Sequence, residues 1–195
     1  MRVLVNNVGL SYPFPEYLHL QDEEILDNLQ TVNMESMIQM TRLTVPSMLD
    51  TFSSSRQRSL VLNVGSFSHL GAPLLGVYAA SKGFVYSFSK SLQSDYASLG
   101  IDVVHFHPLF IATKLAKMRA SLFTPSPARW ASTSLRVAND KSANGGGGFL
   151  WHDLAYFALD FVPSSLLQSQ GLALHKRLRR KAYAKYKMED PLAKK

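Results

Sequence analysis

Cysteine is absent from all 195 residues, which excludes disulfides, thiol nucleophiles and cysteine-ligated metal sites together. Long apolar runs are lacking too. No stretch reaches the about 20 uninterrupted apolar residues that a membrane-crossing helix needs. The nearest approach, residues 148–174, is broken by His152, Asp153, Asp160 and Pro163. A basic-then-apolar leader is not seen, because Met1-Arg2 runs straight into Val3-Leu4-Val5. Acid is scarce at one end only. Residues 171–195 hold nine bases against two acids, while residues 1–170 balance at twelve of each. The net charge of +7 therefore belongs to a tail, and nucleic acid is not expected as a partner of the domain.

What is present suits a globular chain. Hydrophobic residues make up 46%, enough for a sizeable core at this length. Short β-branched runs predict buried parallel strands at residues 3–6, 59–64 and 101–106, with a weaker candidate at 148–151 after the glycine run 145–148. Between them lie helical lengths. Asp22-Glu23-Glu24 puts acids in a first turn, and apolar periodicity continues over residues 25–48. A second helix is predicted over residues 75–99, with Gly100 as its stop. Strand and helix in alternation predict an α/β fold with a parallel sheet, whose strand C-termini share one edge.

Three polar strand ends reach that edge: Asn6-Asn7-Val8-Gly9, Asn63-Val64-Gly65-Ser66 and His107-Pro108. Behind the second lies Tyr78-Ala-Ala-Ser-Lys82. Residues four apart share a helix face. A phenol has a reference pKa of about 10, and a nearby ammonium favours its ionised form. With a hydroxyl such as Ser66 aimed at the same point, the set can bind a carbonyl and protonate it. Tyrosine and lysine at this spacing are common alone. The order of Asn turn, strand-end Ser, Tyr-x-x-x-Lys and strand-end Pro is far more specific.

In that order the chain resembles the short-chain dehydrogenase/reductase family, over residues 3 to about 118. NNVG resembles the family's Asn-Asn-Ala-Gly turn, and Asn33 in TVNMESMIQMTRL matches its helix asparagine. HPLFIATKLAKMR matches the stretch that closes over the nicotinamide. Departures point to one branch: Val8 replaces the usual alanine and Leu109 the usual glycine after Pro108. MTRLTVPSM, APLLGVYAASKGF and FIATKLAKMR are similar to the very-long-chain 3-oxoacyl-CoA reductases and the related 17β-hydroxysteroid dehydrogenases.

The resemblance implies NADPH as cofactor and an acyl-CoA or steroid substrate. It implies location at the endoplasmic reticulum membrane, a step in fatty-acid elongation, and contact with other elongation enzymes. Tyr78 would donate the proton, Lys82 would support it and hold the ribose, and Ser66 would bind the carbonyl. Asn33 would position a water, Asn6 and Gly9 would line the cofactor, and Ile111 and Thr113 would touch the carboxamide. No metal is implied. Ser66 and Tyr78 stand one residue closer than the family's interval, and Ser68 is the substitute for Ser66.

The glycine-rich turn that holds the pyrophosphate in this fold is not found. The expectation is therefore the C-terminal part of a doubly wound Rossmann sheet, strands four to seven without the first three. Either a longer parent carries the remainder, or the chain is a short form without dehydrogenase activity that acts as a membrane-associated binding or interaction protein.

Residues 1–148 would form the partial catalytic domain, and residues 149–195 an apolar then basic helical region. In the latter, Leu174, Leu178, Ala182 and Tyr186 repeat every four residues among bases. Such a helix suits an anionic membrane surface, and a solvated helix packed on its own domain fits the same pattern. The terminal Lys194-Lys195 lacks dilysine-signal spacing. His105, His107 and His152 have no ligand spacing, so structural roles are expected, and His69 lies in a substrate-side loop.

Overall fold

Three strands pair as expected in the computed structural model, which describes residues 1–116, 118–139 and 145–192. β1 (Val3–Asn6), β2 (Ser59–Val64) and β3 (Ile101–Phe106) form a parallel sheet in the order β1-β2-β3. The register aligns Asn6 with Asn63, and Asn63 with His105. Three polar residues therefore lie side by side across the sheet near its C-terminal edge.

The first predicted helix is interrupted. Asp22 caps α1 (Glu23–Gln30) by accepting from the Glu24 amide at 2.9 Å. A π-helical turn, Thr31–Glu35, follows, and α2 (Ser36–Ser55) continues to the second strand. Thr31, Val32 and Asn33 are weak helix formers, which favours the widening here. The second long helix, α3 (Gly76–Tyr96), ends in a 3-10 turn at Ala97–Leu99. Gly100 then adopts φ +84 against the Phe52 ring, leaving no room for a Cβ.

On one face of the sheet, Leu4, Val61, Ile101 and Val103 pack with Val45 and Met48 of α2 and Leu92 and Tyr96 of α3. On the other, Leu62, Val104 and Phe106 meet Trp130 of α4 (Pro127–Asn139) and Phe149. That second layer does not reach β1, where Val3 is 53% and Val5 52% exposed. β2 and β3 are thus covered on both faces and β1 on one.

The fourth strand candidate is not extended. It is reduced to a parallel bridge between Phe106 and Gly146, and α5 (Leu150–Leu159) begins where the strand was predicted. Gly145, Gly146 and Gly148 all have positive φ, which no strand accommodates. The Gly147 amide instead donates to Asp153 of α5 at 2.6 Å.

α6 (Ser164–Tyr186) completes the chain's helices. Of its predicted apolar stripe only Ala182 is buried. Leu174 is 49%, Leu178 41% and Tyr186 49% exposed, while Arg179, Ala182 and Tyr183 face inward. A buried acid, Glu16, accounts for this rotation, since it draws Arg179 and Tyr183 towards it. No helix among the described residues is long and apolar enough to cross a membrane. Lys194 and Lys195 lie outside the described residues.

Candidate active site

Gly9, Asn33 and Lys82 come together from three elements. A Cβ on Gly9 would sit 3.3 Å from Lys82 Nζ and 3.4 Å from Asn33 Oδ1. The turn after β1 thus packs its backbone directly on the two side chains. Asn33, 1% exposed, accepts from the Leu10 amide at 2.7 Å and donates to the Leu10 carbonyl at 3.0 Å. It also donates to Ser81 Oγ at 3.0 Å, and Ser81 donates to the Tyr78 carbonyl at 2.7 Å. Asn33 sits in the π turn, a feature frequent at functional sites.

Lys82 is 6% exposed. Its one hydrogen bond among the described residues runs to the Val64 carbonyl at 3.4 Å. Burial pushes its pKa down to about 8. A buried ammonium with donors to spare fits a ligand bearing hydroxyl groups. Its Nζ lies 5.9 Å from the Tyr78 ring centroid, as the i, i+4 spacing predicts. Tyr78 is half-buried, and its hydroxyl makes no hydrogen bond among the described residues.

The other predicted residues are placed as follows. Ser66 ends β2's loop, with Oγ 2.7 Å from Ser68 Oγ and accepting from the Ser68 amide at 3.2 Å. Both candidate serines therefore occupy one hydroxyl pair. Asn6 turns inward, donating to Asn63 Oδ1 at 2.8 Å and Thr41 Oγ1 at 3.2 Å. Ile111 packs beside the Trp130 cluster. Thr113 closes a turn of its own, its amide donating to the Ile111 carbonyl at 2.7 Å and its Oγ1 accepting from Ala116 at 3.2 Å.

Sequence spacing missed an imidazole cluster. His69 stacks on Tyr86 at 5.0 Å, His105 stacks on His107 at 5.3 Å, and Tyr156 meets His107 edge-on at 4.6 Å. Alternation along the chain explains half of it, since His107 lies just past the end of β3, two residues after His105. Bringing in His69 and Tyr156 requires the tertiary fold. His105 is pushed down to about 3 by burial and by His107, and His107 to about 4 by burial and by His69. Both are neutral near pH 7. No group of three possible metal-ligating side chains occurs among the described residues. A cavity of about 220 Å³ opens beside the cluster, lined by Lys90, Gln93, His105 and His107 among others, away from Tyr78 and Lys82. Ser81 was missed as well, although it lies inside the Tyr78-to-Lys82 motif itself.

Residues 1–121 match the family model described as short chain dehydrogenase. The chain belongs to that family. A very-long-chain 3-oxoacyl-CoA reductase-B of Danio rerio is 35% identical over 184 residues, covering 91% of this chain and 57% of that protein. The very-long-chain 3-oxoacyl-CoA reductase of Homo sapiens is 37% identical, with 83% and 51% covered. The chain thus spans about half the length of these curated relatives. A short-chain dehydrogenase from Sphingobium yanoikuyae, solved in complex with NADPH, superposes with a TM-score of 0.67 at 18% identity, covering 86% of this chain and 65% of that one. At that identity the likeness is one of fold, that of a family member with a Rossmann sheet.

Proposed function

We propose that this chain carries the catalytic part of an NADPH-dependent reductase acting on a 3-oxoacyl-CoA, with Tyr78 as proton donor. The observation carrying it is the buried, under-partnered Lys82 ammonium beside the Tyr78 ring, walled by Gly9 and Asn33. The names of the curated relatives support the substrate class. When bound, a nicotinamide dinucleotide supplies a hydride to the substrate carbonyl carbon, and the cofactor provides the redox chemistry. This chain's residues do the rest. Tyr78 transfers its hydroxyl proton to the carbonyl oxygen, giving the 3-hydroxyacyl product. Lys82 would hold the ribose hydroxyls and stabilises the phenolate left on Tyr78. Ser66 donates to the carbonyl oxygen once its hydroxyl turns from Ser68. Asn33 holds the Gly9–Leu10 backbone against Lys82, and Ile111 and Thr113 would border a bound nicotinamide.

The test is NADPH oxidation with 3-oxoacyl-CoAs of increasing chain length, with NADH and a 17-ketosteroid in parallel. Reduction of a long-chain 3-oxoacyl-CoA that Tyr78→Phe abolishes is the expected result. Turnover unaffected by Tyr78→Phe removes the tyrosine from the chemistry. Preference for the ketosteroid moves the chain to the 17β-hydroxysteroid dehydrogenase reading.

A second reading, contact with a membrane such as that of the endoplasmic reticulum, draws on the surface. Leu150 is 66%, Phe157 65% and Phe161 74% exposed. Lys176, Arg177, Arg180, Lys181, Lys185 and Lys187 have no ion pair among the described residues. Exposed apolar side chains and cations without an ion pair both suit an anionic lipid surface. Flotation with anionic but not zwitterionic vesicles, lost on Phe157→Asp with Phe161→Asp, is the expected outcome. Equal recovery in both lipids removes the electrostatic part of the reading.

A further inference from the structure

Tyr78 sits near the start of a helix that has no cap of its own. Leu75, the residue before α3, offers no side-chain hydrogen bond to the exposed helix amides. The segment feeding it is strained as well. Leu74 has φ +61, a left-handed backbone uncommon for a residue other than glycine or asparagine. Such an entry holds its geometry only when neighbours determine it.

The neighbours come from two places. Tyr12 hydroxyl accepts from the Val77 amide at 3.2 Å, supplying the missing cap from the loop after β1. From the same loop, the Glu16 amide donates to the Leu74 carbonyl at 2.9 Å and so pins the strained residue. Leu10, also in this loop, clamps Asn33. The loop itself is held by α6. Arg179 Nε donates to Glu16 Oε1 at 2.5 Å, across 163 residues of sequence, and Tyr183 hydroxyl donates to Glu16 Oε2. Asp190 takes the other side of the guanidinium at 2.6 Å, and the Tyr183 ring lies under it at 4.3 Å. Phe14 packs against Tyr183 and Tyr186. His175 Nδ1 meets the Pro73 carbonyl at 2.5 Å, one residue before Leu74.

We propose that Arg179 is a positioning residue for Tyr78: through Glu16 it locks the loop that caps α3 and pins Leu74, so the C-terminal helix sets where the phenol points. This rests on the reading of Tyr78 as proton donor. Arg179 hydrogen-bonds to Glu16 and Asp190 and acts on Tyr78 through the loop.

The test compares Arg179→Lys with the double variant Arg179→Met/Glu16→Gln, which removes the buried Glu16 charge together with its partner, leaves only the more exposed Asp190 carboxylate unpaired, and guards against simple unfolding. Three readouts are taken. Amide exchange over residues 8–12 and 72–80 is expected to rise at least tenfold in the double variant, with β2 and β3 unchanged. The ¹³C-tyrosine NMR signal of Tyr78, assigned by its loss in Tyr78→Phe, is expected to move. Turnover number is expected to fall at least tenfold at unchanged KM, with Arg179→Lys intermediate. Unchanged exchange at residues 72–80, or an unmoved Tyr78 signal, overturns the proposal. So does a loss that appears in KM alone or equally throughout the sheet. If Tyr78→Phe leaves turnover intact, the proton-donor reading fails by itself, while exchange and NMR still decide whether α6 positions the phenol.

Discussion

Two buried cations, Lys82 within α3 and Arg179 linked to its entry through Glu16, are treated oppositely by the protein. Lys82 has one long hydrogen bond and a pKa pushed down to about 8 by burial. For Arg179, burial opposes the charge, but Asp190 and Glu16 more than offset it and hold the group above the ordinary arginine value. The first ammonium has donors left over for something outside the chain. The second has its charge answered by two carboxylates, although its Nη2 finds no partner. Under-pairing suits a group that works on a ligand, and over-pairing suits one that holds a helix in place.

The largest effect that sharpens the contrast is chemical. Tyr78→Phe should lower turnover by about 10²–10⁴-fold, the usual worth of a positioned acid, while cofactor affinity measured by fluorescence titration stays unchanged. Next comes architecture: Arg179→Ala should cost about 3–5 kcal/mol in urea unfolding, because it leaves Glu16 buried and unpaired. A change below 1 kcal/mol, on the order of a surface pair, would break the comparison.

Lys82→Met should act in the opposite sense. It removes an ammonium whose charged form burial disfavours, so stability at pH 7 should rise by about 1–3 kcal/mol as turnover is lost. The sign follows from linkage. Between pH 8 and 10.5 the unfolded lysine holds its proton and the folded one does not, so wild-type stability rises with pH in that window and the variant's rise is smaller.

The effect that is smallest at pH 7 emerges only at acid pH. His105 and His107 titrate near 3 and 4 when folded, against 6.5 unfolded. Between those values the unfolded chain binds more protons, so stability falls as pH drops from 6.5 towards 4. One buried imidazole contributes a slope of at most about 1.4 kcal/mol per pH unit. His105→Gln should flatten the fall, and an unchanged acid limb would assign it elsewhere.

Legibility differed by the range of the interaction. The three strands, the acidic helix start at residues 22–24, the stop at Gly100 and the Tyr78–Lys82 face all depend on neighbours within a few residues, and all were readable. The break at residues 31–35 was not, because a π turn keeps the same apolar faces with one residue extra per turn. Residues 148–151 read as a strand by composition, yet three positive-φ glycines and the Asp153 bond turned the segment into a helix entry. Asn6 stood at the right edge, but register put it beside Asn63, so its amide is used inside the sheet.

By itself, the sequence determined the α/β class, the parallel sheet and the shared face of Tyr78 and Lys82, since alternation and i, i+4 spacing are properties of the local chain, while Asn33 as a site residue rested on the family resemblance. Tertiary structure alone decided which charges are buried. Nothing along ALHKRLRRKAYAKYK distinguishes Arg179 from Arg180, because a helix of that composition has no preferred face until an acid is placed against it. Glu16 supplies that acid from the other end of the chain, and a carboxylate in a low-dielectric interior gains more from one guanidinium than from water it can no longer reach.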